Sequence, residues 1–271
     1  MWQNGKNEMI KIKRTNVPEK LTEEVKAELT KIFKENKKKV VWNKPYIREG
    51  LLEMSSNKCC YCEEIVNDGC REMHVDHFHD KDTYPDEVVK WENLLPACAH
   101  CNKKKSTHDT YKEPIINPTE SNPKDIYYMK NYRYVSYDEN PNSIGRLSIG
   151  VLGINDTDEK VMMRFTIGNE LNAELDKLYE DAVELGTDIL ANTRKRNRTV
   201  NGCLNNLKLC TKASRFGASM ATILQENEDY QSLRKLLIGY NLWTEEMEQL
   251  HKESLEICLC KDESKINSKI S

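Results

Sequence analysis

No stretch of this 271-residue chain is apolar for long enough to cross a membrane. The opening residues, MWQNGKNEMIKIKR, hold no hydrophobic core of a signal peptide, so the chain is expected to be cytoplasmic. Aromatic residues are scarce at 7%, and Trp91 and Trp243 are therefore read as core or interface anchors, not as platforms for stacked bases. Net charge is also small, at −3, which offers no overall attraction for a polyanion. No internal repeat is found. At 38% hydrophobic and 31% charged, the chain is polar without being disordered by composition. Its length suffices for a substantial core, as one large or two modest domains.

Cysteine is what the chain has in quantity, with ten residues. In a reducing compartment, Cys-x-x-Cys pairs point to metal rather than to disulfides. Two such pairs are present, Cys59/Cys62 and Cys98/Cys101, and 35 residues separate them. Four thiolates in two tight turns suit one tetrahedral zinc with no open position, a structural site that staples the ends of a loop-rich insert. Cys60 and Cys70 are close enough to be rival ligands. Cys203, Cys210, Cys258 and Cys260 are read as small buried hydrophobes.

The insert between the pairs holds Asp76-His77, Asn93 within Trp91-Glu92-Asn93, and Asn102 directly after the second pair. These are residue types that phosphodiester hydrolysis needs. A cation must neutralise the phosphate and the leaving oxyanion, and the oxygen donors Asp76 and Asn102 suit Mg²⁺ or Mn²⁺. His77, with an ordinary pKa of about 6.5, can take a proton from water. Lys103, Lys104 and Lys105 follow at the start of a helix, where one could hold a phosphate or all could form a solvated cluster. His74 is a candidate outer contact on the face of Asp76. His79 is a further candidate for phosphate or metal, with simple exposure the plainer reading. His100, inside the knuckle turn, is expected to face solvent.

The order C-x-x-C, V-D-H-F, W-x-N-L-L, C-x-x-C-N-x-x-K resembles the HNH nuclease family in its HNN variant. More narrowly, it is similar to the PtuB-like HNH subunit of Septu-type anti-phage systems, found also beside some retrons. The motif spans 47 residues, Cys59 to Lys105; a weaker likeness runs from Met9 to Asn155. The resemblance implies a ββα-metal core with His77 as base and Asp76 and Asn102 on Mg²⁺ or Mn²⁺. It implies that Asn93 braces the loop and orients His77, and that Lys103, Lys105 or His79 contacts substrate. Asn102 replaces a metal-binding histidine common in the family, which implies a weaker metal site. It implies further an effector of anti-phage defence that cuts DNA in preference to RNA. Its partner would be an ABC/SMC-like, PtuA-like ATPase, with a retron reverse transcriptase and its RNA–DNA hybrid as a further partner. The alternatives are a zinc-containing adaptor whose active site has decayed, and a stand-alone nuclease cutting RNA such as tRNA.

The fold class expected is α+β. Residues 1–58 form a basic N-terminal helical segment, with helices from Thr22 to Asn36 and from Pro45 to Met54. Residues 59–113 form the zinc-stapled core: a strand over Met73–Phe78, a short return at Trp91–Leu95, and a helix from Cys101 or Asn102. Residues 114–160 form a proline-rich connector with one strand over Arg146–Ile154. Residues 161–271 form a helical region whose first helix, carrying Leu171 to Ile189, is capped by Asn169. Charge is uneven: residues 1–48 balance at +7 and the insert at −4. An acidic nuclease core needs its substrate held elsewhere, by the N-terminal arm or by a partner. The run Arg194–Arg198 is either a nucleic-acid contact or a hydrophilic helix end before Gly202.

Overall fold

The computed structural model describes residues 11–267, and the resemblance beginning at Met9 falls partly outside them. Helices dominate, with small two-stranded sheets. The chain divides into two compact units. One comprises Lys11–Ile126 and Tyr134–Asp156; the other comprises Tyr127–Arg133 and residues from 157 onward.

In the first unit, α1 (Glu23–Glu35) begins where Thr22 Oγ1 accepts the Val25 N–H at 3.3 Å, with Glu23 and Glu24 in its first turn. It buries Leu29 and Phe33. Helix α2 (Pro45–Ser55) starts on a proline and ends at Ser56 in the left-handed region. Its buried face of Ile47, Leu51 and Met54 lies against the strand β2 (Leu94–Ala97). That strand pairs antiparallel with β1 (His74–His77), Asp76 opposite Leu95 and His77 opposite Leu94. A single turn of 3₁₀ helix, Trp91–Asn93, feeds β2, and α3 (Ala99–Lys105) follows it.

The connector to residue 143 is irregular apart from a 3₁₀ turn and two short strands, β3 (Tyr127–Lys130) and β4 (Arg133–Ser136). The expected strand over Arg146–Ile154 is instead helix α4 (Ile144–Leu152), capped by Ser143 Oγ on the Arg146 N–H at 3.3 Å. Its buried residues are Gly145, Ser148 and Leu152. The inward stripe is thus made of small residues that an apolar pattern does not register. A Cβ on Gly145 would meet Ser136 Oγ at 2.2 Å, so the helix needs a residue without one there.

In the second unit, α5 (Met162–Leu185) begins after a π-helical turn, Thr157–Val161. Asn169 is therefore mid-helix and not the cap. The buried stripe extends upstream of Leu171 through Gly168 and Arg164, neither of which counts as apolar. Gly186, at φ +49°, ends α5, and Ile189 belongs to a separate short helix, α6 (Asp188–Ala191). Arg194–Arg198 opens α7 (Thr193–Lys208) instead of closing a helix. Gly202 lies inside α7, where a Cβ would meet Leu178 at 2.6 Å, which marks the close approach to α5. Helices α8 (Gly217–Glu226), α9 (Glu228–Gly239) and α10 (Glu245–Ile257) follow, burying Met220 and Ile223, Leu233 and Leu237, and Met247 and Ile257, and a short α11 (Glu263–Asn267) ends the described chain. Among the described residues, no helix is long and apolar enough to cross a membrane.

Candidate active site and four-cysteine centre

Both Cys-x-x-Cys turns are built by the backbone around them. The first is closed by Cys59 N–H on Glu64 O (2.8 Å), Glu63 N–H on Cys59 O (3.0 Å), and Glu63 at φ +59°. Cys60 N–H reaches Pro96 O at 2.9 Å, which ties this turn to the outer edge of β2. In the second, Cys98 caps α3 and its Sγ accepts the Cys101 N–H at 3.5 Å. The sulfurs of Cys59, Cys62, Cys98 and Cys101 converge within 4.8 Å of one another, all buried, and those of Cys62 and Cys98 are 3.7 Å apart. A tetrahedral zinc with bonds of about 2.3 Å requires sulfurs about 3.8 Å apart. The donor set therefore fits a structural zinc. The crowded sulfurs of Cys59, Cys62 and Cys98, with burial, hold the Cys101 thiol well above its ordinary pKa. A divalent cation is what lets four such groups be thiolates together. Cys60 is buried outside this cluster, and Cys70 is exposed.

Strand β1 sends Asp76 and His77 in opposite directions, as alternation requires. Both are nevertheless buried, because each side of the strand is covered. The Asp76 carboxylate accepts from Tyr61 Oη on Oδ2 at 2.6 Å and from Lys105 Nζ on Oδ1 at 3.1 Å. Burial and the Asp76 charge hold the Tyr61 phenol well above its usual pKa, so it remains a donor. His77 Nε2 donates to Val88 O at 2.9 Å, which leaves the lone pair on Nδ1. Its ring meets Trp42 edge to face at 4.8 Å, and burial pushes its pKa down to about 4. The imidazole is neutral at physiological pH.

Asn93 directs its side-chain hydrogen bonds to the loop beyond His77. Its Oδ1 accepts the His79 N–H at 2.7 Å, and its Nδ2 donates to His79 O (3.0 Å) and Glu87 O (3.2 Å). It thus closes the loop whose Val88 carbonyl holds His77. Asn102, on α3, lies beside the exposed His74, with Nδ2 and Nδ1 3.5 Å apart. Asp76, His77 and Asn102 line one cleft of about 480 Å³, to which Arg48, Lys81 and Lys103 bring positive charge.

Several side chains lie elsewhere than surface placement implies. Lys105 has 0% of its side chain exposed and also donates to His77 O at 2.6 Å; it faces inward, not toward solvent. His79 is half-buried, stacked on Tyr111 at 3.7 Å and bonded through Nδ1 to Thr110 Oγ1 at 2.7 Å. His100 is not solvent-facing; its Nε2 donates to Gly153 O at 3.2 Å. Arg14, within the basic N-terminal segment, is a clamp. Its guanidinium donates to the carbonyls of Trp91 (2.6 Å), Glu92 (2.8 Å) and Leu94 (3.0 Å) around Asn93. Nothing in the sequence marks Arg14 or Trp42. Lys105 stands out in the sequence only as a candidate phosphate contact or surface charge, not as the buried partner of Asp76.

No family model matches the chain, and no solved structure matches it. A curated relative does: the Septu protein PtuB of Bacillus thuringiensis is 41% identical over 242 residues, covering 89% of this chain and 92% of that protein. The chain belongs to the PtuB family of Septu proteins. The matched length leaves little of either chain outside the alignment.

Proposed function

We propose that this PtuB-family protein is a metal-dependent HNH-type endonuclease, in the HNN variant, acting as the effector of a Septu anti-phage system. The observation that carries this reading is the shared cleft of Asp76, His77 and Asn102, with Asn93 bracing the loop behind His77. The strand–strand–helix order of β1, β2 and α3 agrees with a ββα-metal core stapled by zinc.

The Asp76 carboxylate has lone pairs beyond the two used by Tyr61 and Lys105, and Asn102 adds a carbonyl oxygen in the same cleft, so the donors suit a hard cation. Mg²⁺ or Mn²⁺ held there would neutralise the phosphate and lower the pKa of water. His77 Nδ1 accepts the proton of the attacking water as the new phosphorus–oxygen bond forms and the bond to the leaving oxygen breaks. The Val88 carbonyl steadies the imidazolium through Nε2–H. Lys103 and Lys81 can hold flanking phosphates; Lys105 instead serves Asp76.

DNA is the proposed substrate, and the resemblance supports an ABC/SMC-like, PtuA-like ATPase as partner, with retron components in some systems. The test is cleavage of DNA and of tRNA by the full chain, alone and with the ATPase, in Mg²⁺ or Mn²⁺. His77→Ala should abolish cutting while the fold and the zinc content hold. Cutting by His77→Ala at the wild-type rate would remove the catalytic assignment.

A further inference from the structure

Both oxygens of the Asp76 carboxylate are held by donors that come from the four-cysteine centre itself. Tyr61 lies inside the first knuckle, between Cys60 and Cys62, and its hydroxyl donates to Oδ2 at 2.6 Å. Lys105 lies one helical turn beyond Cys101 on α3, and its ammonium donates to Oδ1 at 3.1 Å. The same ammonium reaches the carbonyl of His77 at 2.6 Å. Each half of the cysteine cluster therefore contributes one arm, and the arms meet on the Asp76-His77 dipeptide. All three side chains are buried, so water does not compete for these bonds.

We infer that Tyr61 and Lys105 are positioning residues that transmit the geometry of the four-cysteine centre to the Asp76 carboxylate and the His77 backbone. This rests on the nuclease reading and extends it, because it gives the cysteine centre a part in the cleft beyond stapling the insert. Two consequences differ in sign. The Tyr61 hydroxyl fixes the direction in which the carboxylate faces the cleft, so losing it costs orientation. The Lys105 ammonium fixes both residues and also sets a positive charge against any cation that Asp76 binds. Its loss should tighten cation binding while slowing the reaction, a pairing that general destabilisation does not produce.

The experiment uses the full chain and the variants Tyr61→Phe, Lys105→Met and Asp76→Asn. Mn²⁺ binding is read from the electron paramagnetic resonance signal of the free ion. The cysteine centre is read from the absorption of cobalt placed on its thiolates, and DNA cleavage is followed in parallel. Tyr61→Phe should stay folded with the wild-type cobalt spectrum and cut about tenfold more slowly, the scale of one bond to a charged group. Lys105→Met should bind Mn²⁺ several-fold more tightly and also cut more slowly. A folded Tyr61→Phe with an unchanged cobalt spectrum that cuts and binds Mn²⁺ as wild type does overturns the inference. That variant removes one oxygen only, and it decides the matter if Lys105→Met does not fold. If wild type binds Mn²⁺ no better than Asp76→Asn, the nuclease reading itself fails and the inference goes with it.

Discussion

Arg14 offers the sharpest test of how the Asn93 turn is held. Its two terminal nitrogens donate to the carbonyls of Trp91, Glu92 and Leu94, and Nη2 also reaches Thr119 Oγ1 at 3.1 Å. Trp91 answers by donating Nε1–H to Thr15 O at 3.0 Å, so the strand of chain and the turn are laced in both directions. Arg14→Ala removes the guanidinium from three carbonyls, of which Trp91 O still accepts the Leu94 N–H. The bond to Glu92 lies on the exposed side, where water replaces the guanidinium; those to Trp91 and Leu94 are part-buried. Two charge-assisted bonds at about 2 kcal/mol each give a loss of about 4 kcal/mol. For a protein of this size that corresponds to a fall in melting temperature of about 10 °C. Arg14→Lys keeps the charge but not the planar fork, and one ammonium cannot span three carbonyls, so it should recover less than half of the loss. Thermal unfolding followed by circular dichroism reads both variants. An Arg14→Ala protein melting within about 1 °C of wild type would show that the clamp contributes nothing and that water serves the turn equally well.

The remaining expectations are briefer. Folded protein should contain one zinc per chain by elemental analysis, and Cys101→Ser should lose it together with several kcal/mol of stability, since structural zinc binding is coupled to folding. Two histidines should make the fold acid-sensitive: burial pushes His77 down to about 4 and also lowers His251 below its ordinary value. Between about pH 6.5 and pH 4 the unfolded chain binds protons that the folded chain does not, so stability is full above this window and is lost as pH falls through it. Urea unfolding at pH 7.5 and 5.5 checks this, and His251→Gln should flatten part of the slope; equal stabilities at the two pH values would refute it. Gly217→Ala should destabilise the second unit by several kcal/mol, because its Cβ would lie 2.1 Å from the Thr211 carbonyl oxygen, and a melting curve matching wild type would contradict that.

Local signals carried the elements whose cause is local. Thr22 before Glu23-Glu24, and Pro45 at the start of α2, mark their helices through the backbone groups they satisfy or leave unneeded. Strand β1 is marked by its local pattern of residue types, although both of its sides are covered. The misreadings of α4 and of the start of α5 share one cause. In α4 and the first turns of α5, the inward stripe is made by Gly145, Ser148, Gly168 and Arg164. Close approach of backbones selects small residues, and Arg164 is buried with its Nε on the Tyr132 carbonyl at 2.8 Å. Hydrophobic periodicity records neither circumstance.

The same division runs through the candidate site. Cysteine spacing announces a metal because two sulfurs in one turn are a property of that turn. The Asp76-His77 pair and the two asparagines stand out in the sequence because their residue types are ones that phosphoryl transfer can use. What holds them is not legible. Trp42, Tyr61, Arg14 and Lys105 act from remote positions in sequence, and each is a type that could as well be solvated or simply core. Lys105 shows the point most clearly, since a lysine among three consecutive lysines reads as surface charge. In the folded chain, helix α3 turns it inward, and its ammonium joins the Asp76 carboxylate and the His77 carbonyl. Burying that charge is tolerable only because the carboxylate is there to meet it, and the carboxylate is tolerable for the same reason. Neither residue's placement can be argued without the other, which is why the pair emerges from the structure and not from the order of residues.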